Sequence, residues 1–349
     1  QHKHGVATIK TLVNLMLLRG NIGKEGAGLC PVRGHSNVQG NRTVGIYEKM
    51  PLEFLESLER VFDISVPKTP GYDAVGAIEA MIAGKVKFFF GLGGNFSIST
   101  PDTDRTWQGM RNCEMTAHVT TKLNRSHLVH GQQALILPCL GRTEIDTQET
   151  GPQGVTVEDS MSMVHVSYGM NKPASPQLLS EPAIVARLAQ ATLRHSKTPW
   201  LALIRDYSQI RDLIERTMPV AFKDYTERIK RPGGFRMPVP SSERIWNTPS
   251  GKAEFTVQAI PSNSPIHQAR AHYGDRLFVL MTTRSHDQYN TTIYGMDDRY
   301  RGVFGQRRVI FMHPDDIARQ GLQAGDWINL VSVWQDGVTR RADKFLVVS

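Results

Sequence analysis

The chain has 349 residues, an apolar share of 40%, a charged share of 21% and a formal net charge of +8. That balance belongs to a globular protein with a sizeable core and excludes a disordered or collagen-like chain. The basic residues are scattered, with no basic stripe or nucleic-acid module, no apolar run long enough to cross a membrane and no secretory leader, so the expected location is cytoplasmic.

From the first residues onward, apolar side chains at helical spacing (Val6, Ile9, Leu12, Val13, Met16, Leu17) predict a helix over 6–18 that stops at Gly20. The stretch 20–46 then carries Gly20, Gly23, Gly26, Gly28, Gly34, Gly40 and Gly45. Glycine weakens both helix and strand interiors, so this is read as a long ordered loop whose backbone comes close to something. Helices are expected over 51–62 and 73–84. Val86–Phe90 is a continuous apolar run of strand length, as in a buried parallel strand, and it breaks into Gly91, Gly93, Gly94 and Asn95. Two more strands follow in "CEMTAHVTTKLNRS" and in Ala134–Leu137, the latter stopped by Pro138.

This alternation predicts an α/β fold, a largely parallel sheet with flanking helices and ligands at the carboxyl ends of the strands. Residues 180–193 read as an amphipathic helix capped by Ser180, with Pro182 in its first turn. One or two helices are expected in 203–230, and 231–270 is rich in Pro, Gly and Ser. After about 274 the texture turns to short strands: "RLFVLMTTRSHDQYNTT", "RVIFMHPDDIARQG" and a hairpin signature at Gln335-Asp336-Gly337. The expected organisation is an α/β domain over 1–200, a helical and irregular connection over 201–270, and the start of a β-barrel over 271–349. The stretch opens inside a helical pattern and stops on an apolar strand, which leads us to expect a piece of a longer polypeptide.

Several short motifs carry chemistry, each with a plainer alternative. Glycines after a strand let backbone N–H groups approach a phosphate or a flat cofactor, so "GLGGNFS" (91–97) is equally such a cradle or a tight turn. It is neither GxGxxG nor GxxxxGK[ST]. "TTKLNRS" (120–126) offers hydroxyls, Lys122, Asn124 and Arg125 to a nucleotide, or is a solvated strand end. "TTRSH" (282–286), followed by Asn290, Thr291 and Thr292, offers phosphate or pterin contacts, or is a polar loop. Arg33 can stabilise an anion and His35 can shuttle a proton. The cysteines Cys30, Cys113 and Cys139 fit no zinc or iron–sulfur spacing and read as reduced thiols. No nucleophile elbow, HExxH or acidic cluster is present. The residues alone describe a cofactor-cradling α/β protein without a reactive nucleophile of its own.

In combination the motifs become specific. "NLMLLRGNIGKEGAGLCPVRGHSNVQG", "FFFGLGGNF", "TTKLNRSHLVHGQQALILPCLGRTEID", "WNTPSGKAEF", "LMTTRSHDQYNT" and "HPDDIARQGLQAGDWINLVS" occur in the order found in molybdopterin oxidoreductases of the DMSO-reductase superfamily. The formate dehydrogenase alpha-subunit-like group is the one they resemble most. The resemblance runs through essentially the whole stretch, with His35 where formate dehydrogenases carry glutamine and Phe96 where the strand-loop motif has proline.

The resemblance implies a Rossmann-like pterin-binding domain, the second half of a split domain, and a truncated double-psi-like C-terminal barrel. It implies molybdenum bis(molybdopterin guanine dinucleotide) as cofactor, and a 4Fe-4S cluster upstream with none in this stretch. Arg33 and His35 are implied beside the reacting centre. Cofactor contacts are implied at Gly34, Asn37, Gly91, Gly93, Gly94, Asn95, Thr120, Thr121, Lys122, Thr282, Thr283, Arg284, Ser285, His286 and Asn290, with no metal ligand among them. The implied partners are a small-molecule substrate, formate being the first candidate, and an electron-transfer protein or redox carrier. The implied activity is two-electron oxidation of formate to carbon dioxide, which this stretch alone would not perform. Reduction of an oxyanion or N-oxide, or a non-catalytic nucleotide- or anion-binding scaffold, are the alternatives.

Overall fold

The computed structural model describes residues 4–32, 35, 37–260, 264–274, 277–286, 288–289, 293–334 and 336–349. The chain divides into two compact units, Gln1–Gln258 and Ala259–Ser349.

In the first unit, helix α1 (Gly5–Leu18) ends where Gly20 takes a positive φ of 64°. The stretch 20–46 is not the unbroken loop expected: residues 38–43 form α2 (Val38–Thr43), with Gly40 inside it, before α3 (Leu52–Phe62). Helix α4 (Ala74–Ile82) starts on Asp73, whose carboxylate accepts the Gly76 N–H at 2.7 Å. Strand β1 (Phe88–Leu92), the short α5 (Phe96–Ser99), α6 (Thr103–Asn112), β2 (Met115–Thr120), a 3₁₀ turn (Arg125–Leu128) and β3 (Gln133–Pro138) follow. The strands form a three-stranded parallel sheet in the order β1-β2-β3, in register from Phe88↔Met115 and Met115↔Gln133. Parallel strands need a crossover between them, and α5 with α6 supplies it between β1 and β2.

Against one face of the sheet pack Ile78 and Met81 of α4, Met110 of α6, Cys113 and Val129, with Phe89 and Phe96 beside them. Met110 and Cys113 are completely buried. Val119, Cys139 and Ile184 form a second cluster, which ties the sheet to α7 (Glu181–Thr192). Helix α7 begins on the Ser180 cap, with Pro in its first turn.

Antiparallel pieces complete the unit: β4 (Asp146–Gln148) with β5 (Gly151–Gln153), and β6 (Val155–Glu158) with β7 (Met163–Ser167) and β8 (Phe235–Arg236). Helices α8 (Trp200–Leu203), α9 (Ser208–Thr217) and α10 (Tyr225–Arg228) precede β8. Phe222, Tyr225, Ile229, Phe235 and Met237 bury themselves on Val164 of β7, so residues 222–237 share a core with the antiparallel sheet.

The second unit holds α11 (Pro265–Tyr273), the paired β9 (Gln288–Tyr289) and β10 (Ile293–Tyr294), β11 (Val309–Phe311), α12 (Pro314–Arg319), β12 (Trp327–Ser332) and β13 (Arg340–Val348). Strand β13 is central, parallel to β11 and antiparallel to β12, and its own Val347 is buried. The strand expected over "RLFVLM" is not formed: residues 277–285 carry no ladder, and Leu280 and Met281 are exposed. An apolar run of strand length becomes a strand only where another strand pairs with it, and 277–281 has no such partner among the described residues.

Candidate functional site

The carboxyl ends of β1, β2 and β3 lie side by side, at the edge where parallel sheets bind ligands. Gly91 is small by necessity: a Cβ there would lie 3.0 Å from the Phe89 ring and 3.1 Å from His118 Nδ1. Gly93 and Gly94 have φ of 70° and 76°, a region that side chains avoid. The Gly93 N–H donates to Val119 O at 2.8 Å, joining the loop to β2. No atom lies within 4 Å of where a Gly94 Cβ would stand, so that backbone faces open space.

At the end of β2 the Thr120 hydroxyl folds over its own turn and donates to Lys122 O at 2.8 Å, while Thr121 and Lys122 are exposed. A Cβ added to Gly141, after β3, would lie 3.9 Å from Thr121 Cγ2. The Glu144 carboxylate gathers that loop by accepting the Gly141 and Ala174 N–H groups, both at 2.6 Å. From α7, Glu181 brings Oε1 to 3.8 Å from the Gly93 Cβ position. Desolvation of the Glu181 carboxyl pushes its pKa up. Burial, followed by the nearby Glu181 and Glu144 carboxylates, pushes the Cys139 thiol up to about 11, so it stays protonated and unreactive.

A buried polar layer lies behind these strand ends. Ser126 Oγ donates to Asn95 Oδ1 and accepts the Ser97 N–H at 3.2 Å. Asn124 Nδ2 donates to Gly94 O at 3.0 Å. The rings of His118 on β2 and His127 in the 3₁₀ turn stand edge to face at 5.0 Å. Burial lowers both imidazole pKa values, and for His118 the neighbouring His127 adds to the effect. His118 Nε2 and Ser97 Oγ are buried without a hydrogen-bond partner.

The structure therefore brings Gly91, Gly93, Gly94, Asn95, Thr120, Thr121 and Lys122 to one place. It also supplies four residues that were absent from the expected cofactor contacts: His118, Ser126, His127 and Glu181. Glu181 belonged to the first turn of an expected helix, and its proximity to Gly93 is a long-range contact that no local pattern announces.

The opening loop is built differently. Asn37 Oδ1 accepts the Glu158 N–H at 3.0 Å and its Nδ2 donates to Asn41, which ties α2 to β6. Gly40 leaves room for that amide, since a Cβ there would lie 2.2 Å from Asn37 Oδ1. His35 is exposed. Arg33 and Gly34 lie outside the described residues.

In the second unit Thr282, Thr283, Arg284 and His286 are exposed and Ser285 is half-buried, its hydroxyl donating to Gln288 at 2.9 Å. The turn 298–301 holds this segment. Arg301 donates to Asp298 at 2.6 Å and to Arg284 O at 3.0 Å, and the His286 ring packs at 4.2 Å from that of Tyr300. Burial of Asp298 opposes its ionisation, but Arg301 and the His286 backbone N–H overcome it and leave its pKa low. Asn290 lies outside the described residues.

Among the described residues no group of three or more His, Cys, Asp or Glu side chains is arranged to hold a metal ion, and no helix is long and apolar enough to cross a membrane.

Comparison with known proteins agrees with a mixed α/β fold. Residues 278–342 match the family described as the Molydopterin dinucleotide binding domain. Over its whole length the chain is 52% identical to an oxidoreductase of Mycobacterium tuberculosis, covering 44% of that protein. It is 48% identical to the protein YdeP of Escherichia coli, covering 45%. A third of the chain, 33%, is 31% identical to the F420-dependent formate dehydrogenase subunit alpha of Methanocaldococcus jannaschii, covering 18% of that subunit. Acetylene hydratase from Pelobacter acetylenicus shares the fold with a TM-score of 0.52 at 17% identity, over 85% of this chain and 40% of that one. The chain belongs to the molybdopterin oxidoreductases of the DMSO-reductase superfamily, and it spans a little under half the length of the curated relatives that it matches end to end.

Proposed function

We propose that the polypeptide containing this chain is a molybdenum bis(molybdopterin guanine dinucleotide) oxidoreductase of the formate-dehydrogenase-like kind. The observation that carries this reading is the cluster of glycines and polar side chains at the strand ends. Its residue chemistry suits a flat, phosphate-bearing group: Gly94 faces open space, Thr121 and Lys122 are exposed donors, and Glu181 is an acceptor beside Gly93.

In this reading Gly93 and Gly94 let the backbone approach the cofactor closely. Lys122 places a positive charge against a phosphate, and Thr121 donates from its hydroxyl. Glu181 accepts from the nucleotide's hydroxyl or amino groups. Thr282, Thr283, Arg284, Ser285, His286 and Asn290 contact pterin from the second unit, whose mixed sheet belongs to a double-psi-like barrel. Arg33 draws in and orients an anionic substrate, and His35 holds or passes a proton beside it. When bound, the cofactor supplies the two-electron redox chemistry, while the protein binds, orients and tunes. The electrons leave to a partner protein or redox carrier, by way of a 4Fe-4S cluster held elsewhere in the polypeptide.

Formate is the first substrate to test because it is small and anionic and because part of the chain aligns with a formate dehydrogenase subunit. The test is elemental and pterin analysis of the full polypeptide from a cofactor-competent host, followed by formate-dependent dye reduction. About one molybdenum or tungsten atom and about two pterins per chain is the expected result. A folded protein with neither metal nor pterin would overturn the reading in favour of a non-catalytic scaffold. Loaded protein that ignores formate and turns over an oxyanion or N-oxide would replace only the substrate.

A further inference from the structure

The glycine loop at 93–97 does not hold its shape alone. Its positive-φ residues, Gly93 and Gly94, favour no single conformation by themselves. Three contacts from the 3₁₀ turn fix it: Asn124 Nδ2 on Gly94 O, Ser126 Oγ on Asn95 Oδ1, and the Ser97 N–H on Ser126 Oγ. The turn is in turn fixed by a reciprocal cap. Asn124 Oδ1 accepts the Ser126 N–H at 2.9 Å, and the Asn124 N–H donates to His127 Nδ1 at 2.9 Å.

That last bond settles the protonation of one ring nitrogen. A backbone N–H can only donate, so His127 Nδ1 must be an unprotonated acceptor. A proton arriving on Nδ1 would oppose the Asn124 N–H and remove the cap. The titratable side chain facing His127 is His118 on β2, which offers no negative charge. Helix α5, packed on the turn, carries only Phe, Ser and Ile, and Arg125 and His130 flank the turn along the chain. Among the described residues, nothing around His127 compensates a positive charge, and burial of both rings opposes one.

We propose that His127 is a positioning residue. Its neutral Nδ1 holds Asn124, and Asn124 with Ser126 holds the Gly94–Ser97 loop in the shape that grips the cofactor. Loop order is therefore coupled to the protonation of a residue that is itself buried. This inference rests on the reading above only in the identity of what the loop grips.

The test uses the full polypeptide, prepared without cofactor, as wild type and as His127→Asn. The Asn Oδ1 can accept the same N–H but does not titrate. Amide hydrogen exchange of the 91–99 segment, corrected for the intrinsic pH dependence, is followed from about pH 7.5 to about pH 5.5. In the wild type, protection falls by about tenfold per pH unit once His127 takes up its proton, while His127→Asn stays flat. A wild type that stays flat, or a variant that falls in parallel, overturns the proposal. Pterin retention by loaded protein is then measured over the same range. Retention that declines with the loop in the wild type alone supports the coupling, and retention indifferent to a loosened loop overturns it. A loop that responds as expected in a protein that never binds pterin leaves the positioning role standing and refutes the cofactor reading.

Discussion

The two regions that the sequence marks as cofactor contacts are built in contrasting ways. Residues 91–97 and 120–122 sit at the ends of strands paired over their whole length, with a buried polar layer of Asn95, Ser97, His118, Ser126 and His127 behind them. Residues 282–286 follow no strand, stay largely exposed, and are held by one turn through Asp298, Tyr300 and Arg301. A loop backed by a packed sheet inherits its position from many neighbours, whereas a segment held by a few hydrogen bonds and one ring contact depends on a few. The first region is expected to be preorganised before any ligand arrives, and the second to gain most of its order on binding.

The largest effect expected to break this contrast comes from the core under the sheet. Met110→Ala empties a fully buried site among Ile78, Met81, Cys113 and Val129. It should cost about 2–5 kcal/mol in urea unfolding of the first unit. A cost within experimental error would mean that the sheet's order does not rest on this cluster.

A smaller effect is expected from Ser126→Ala, which strips the Asn95 carbonyl and the Ser97 N–H of their shared partner. The expected cost is about 1–3 kcal/mol, with faster hydrogen exchange confined to 91–99. Exchange that rises equally across the sheet would show that the clamp and the core are one unit.

Acid sharpens the comparison next. Burial lowers the pKa of His118 and His127 below the value of about 6.5 in the unfolded chain, so between the two values the unfolded state binds more protons. Their contribution to stability is present at neutral pH and is lost as pH falls below about 6.5. Unfolding midpoints followed against pH should decline for the first unit in that window. In a His118→Gln, His127→Asn double variant they should decline less.

The smallest expected effect is that of Asp298→Asn in the second unit. Weakening its hold on Arg301 and on the His286 N–H should speed exchange over 284–286 while leaving the unfolding midpoint unchanged. A fall in the midpoint would mean that this turn supports the whole unit.

Much of the scaffold was legible because periodicity and punctuation are local. The helix after Asp73, the Ser180 cap and the end of β3 at Pro138 follow from residues within a few positions of one another, whereas the strand expected over 86–90 is shifted to Phe88–Leu92 and runs through Gly91. The glycine loop at 91–97 was visible for the same reason. What holds it was not: Ser126 lies 31 residues from Asn95, and Asn124 lies 30 from Gly94. Glu181 reaches Gly93 from a helix whose sequence advertises only an N-terminus. The apolar run 277–281 misled in the opposite direction, since strand composition does not supply a pairing partner. The placing of Gly40 three residues after Asn37 is explained by an amide wedged against a glycine, a fit that only three-dimensional packing reveals.

The most direct measurement is hydrogen exchange of the full polypeptide with and without its molybdopterin cofactor, compared over 91–97, 120–126 and 282–290. Strong added protection at 282–290 and a smaller increment at the already ordered 91–97 and 120–126 is the predicted result. Cofactor that binds while leaving all three segments unchanged would contradict the account.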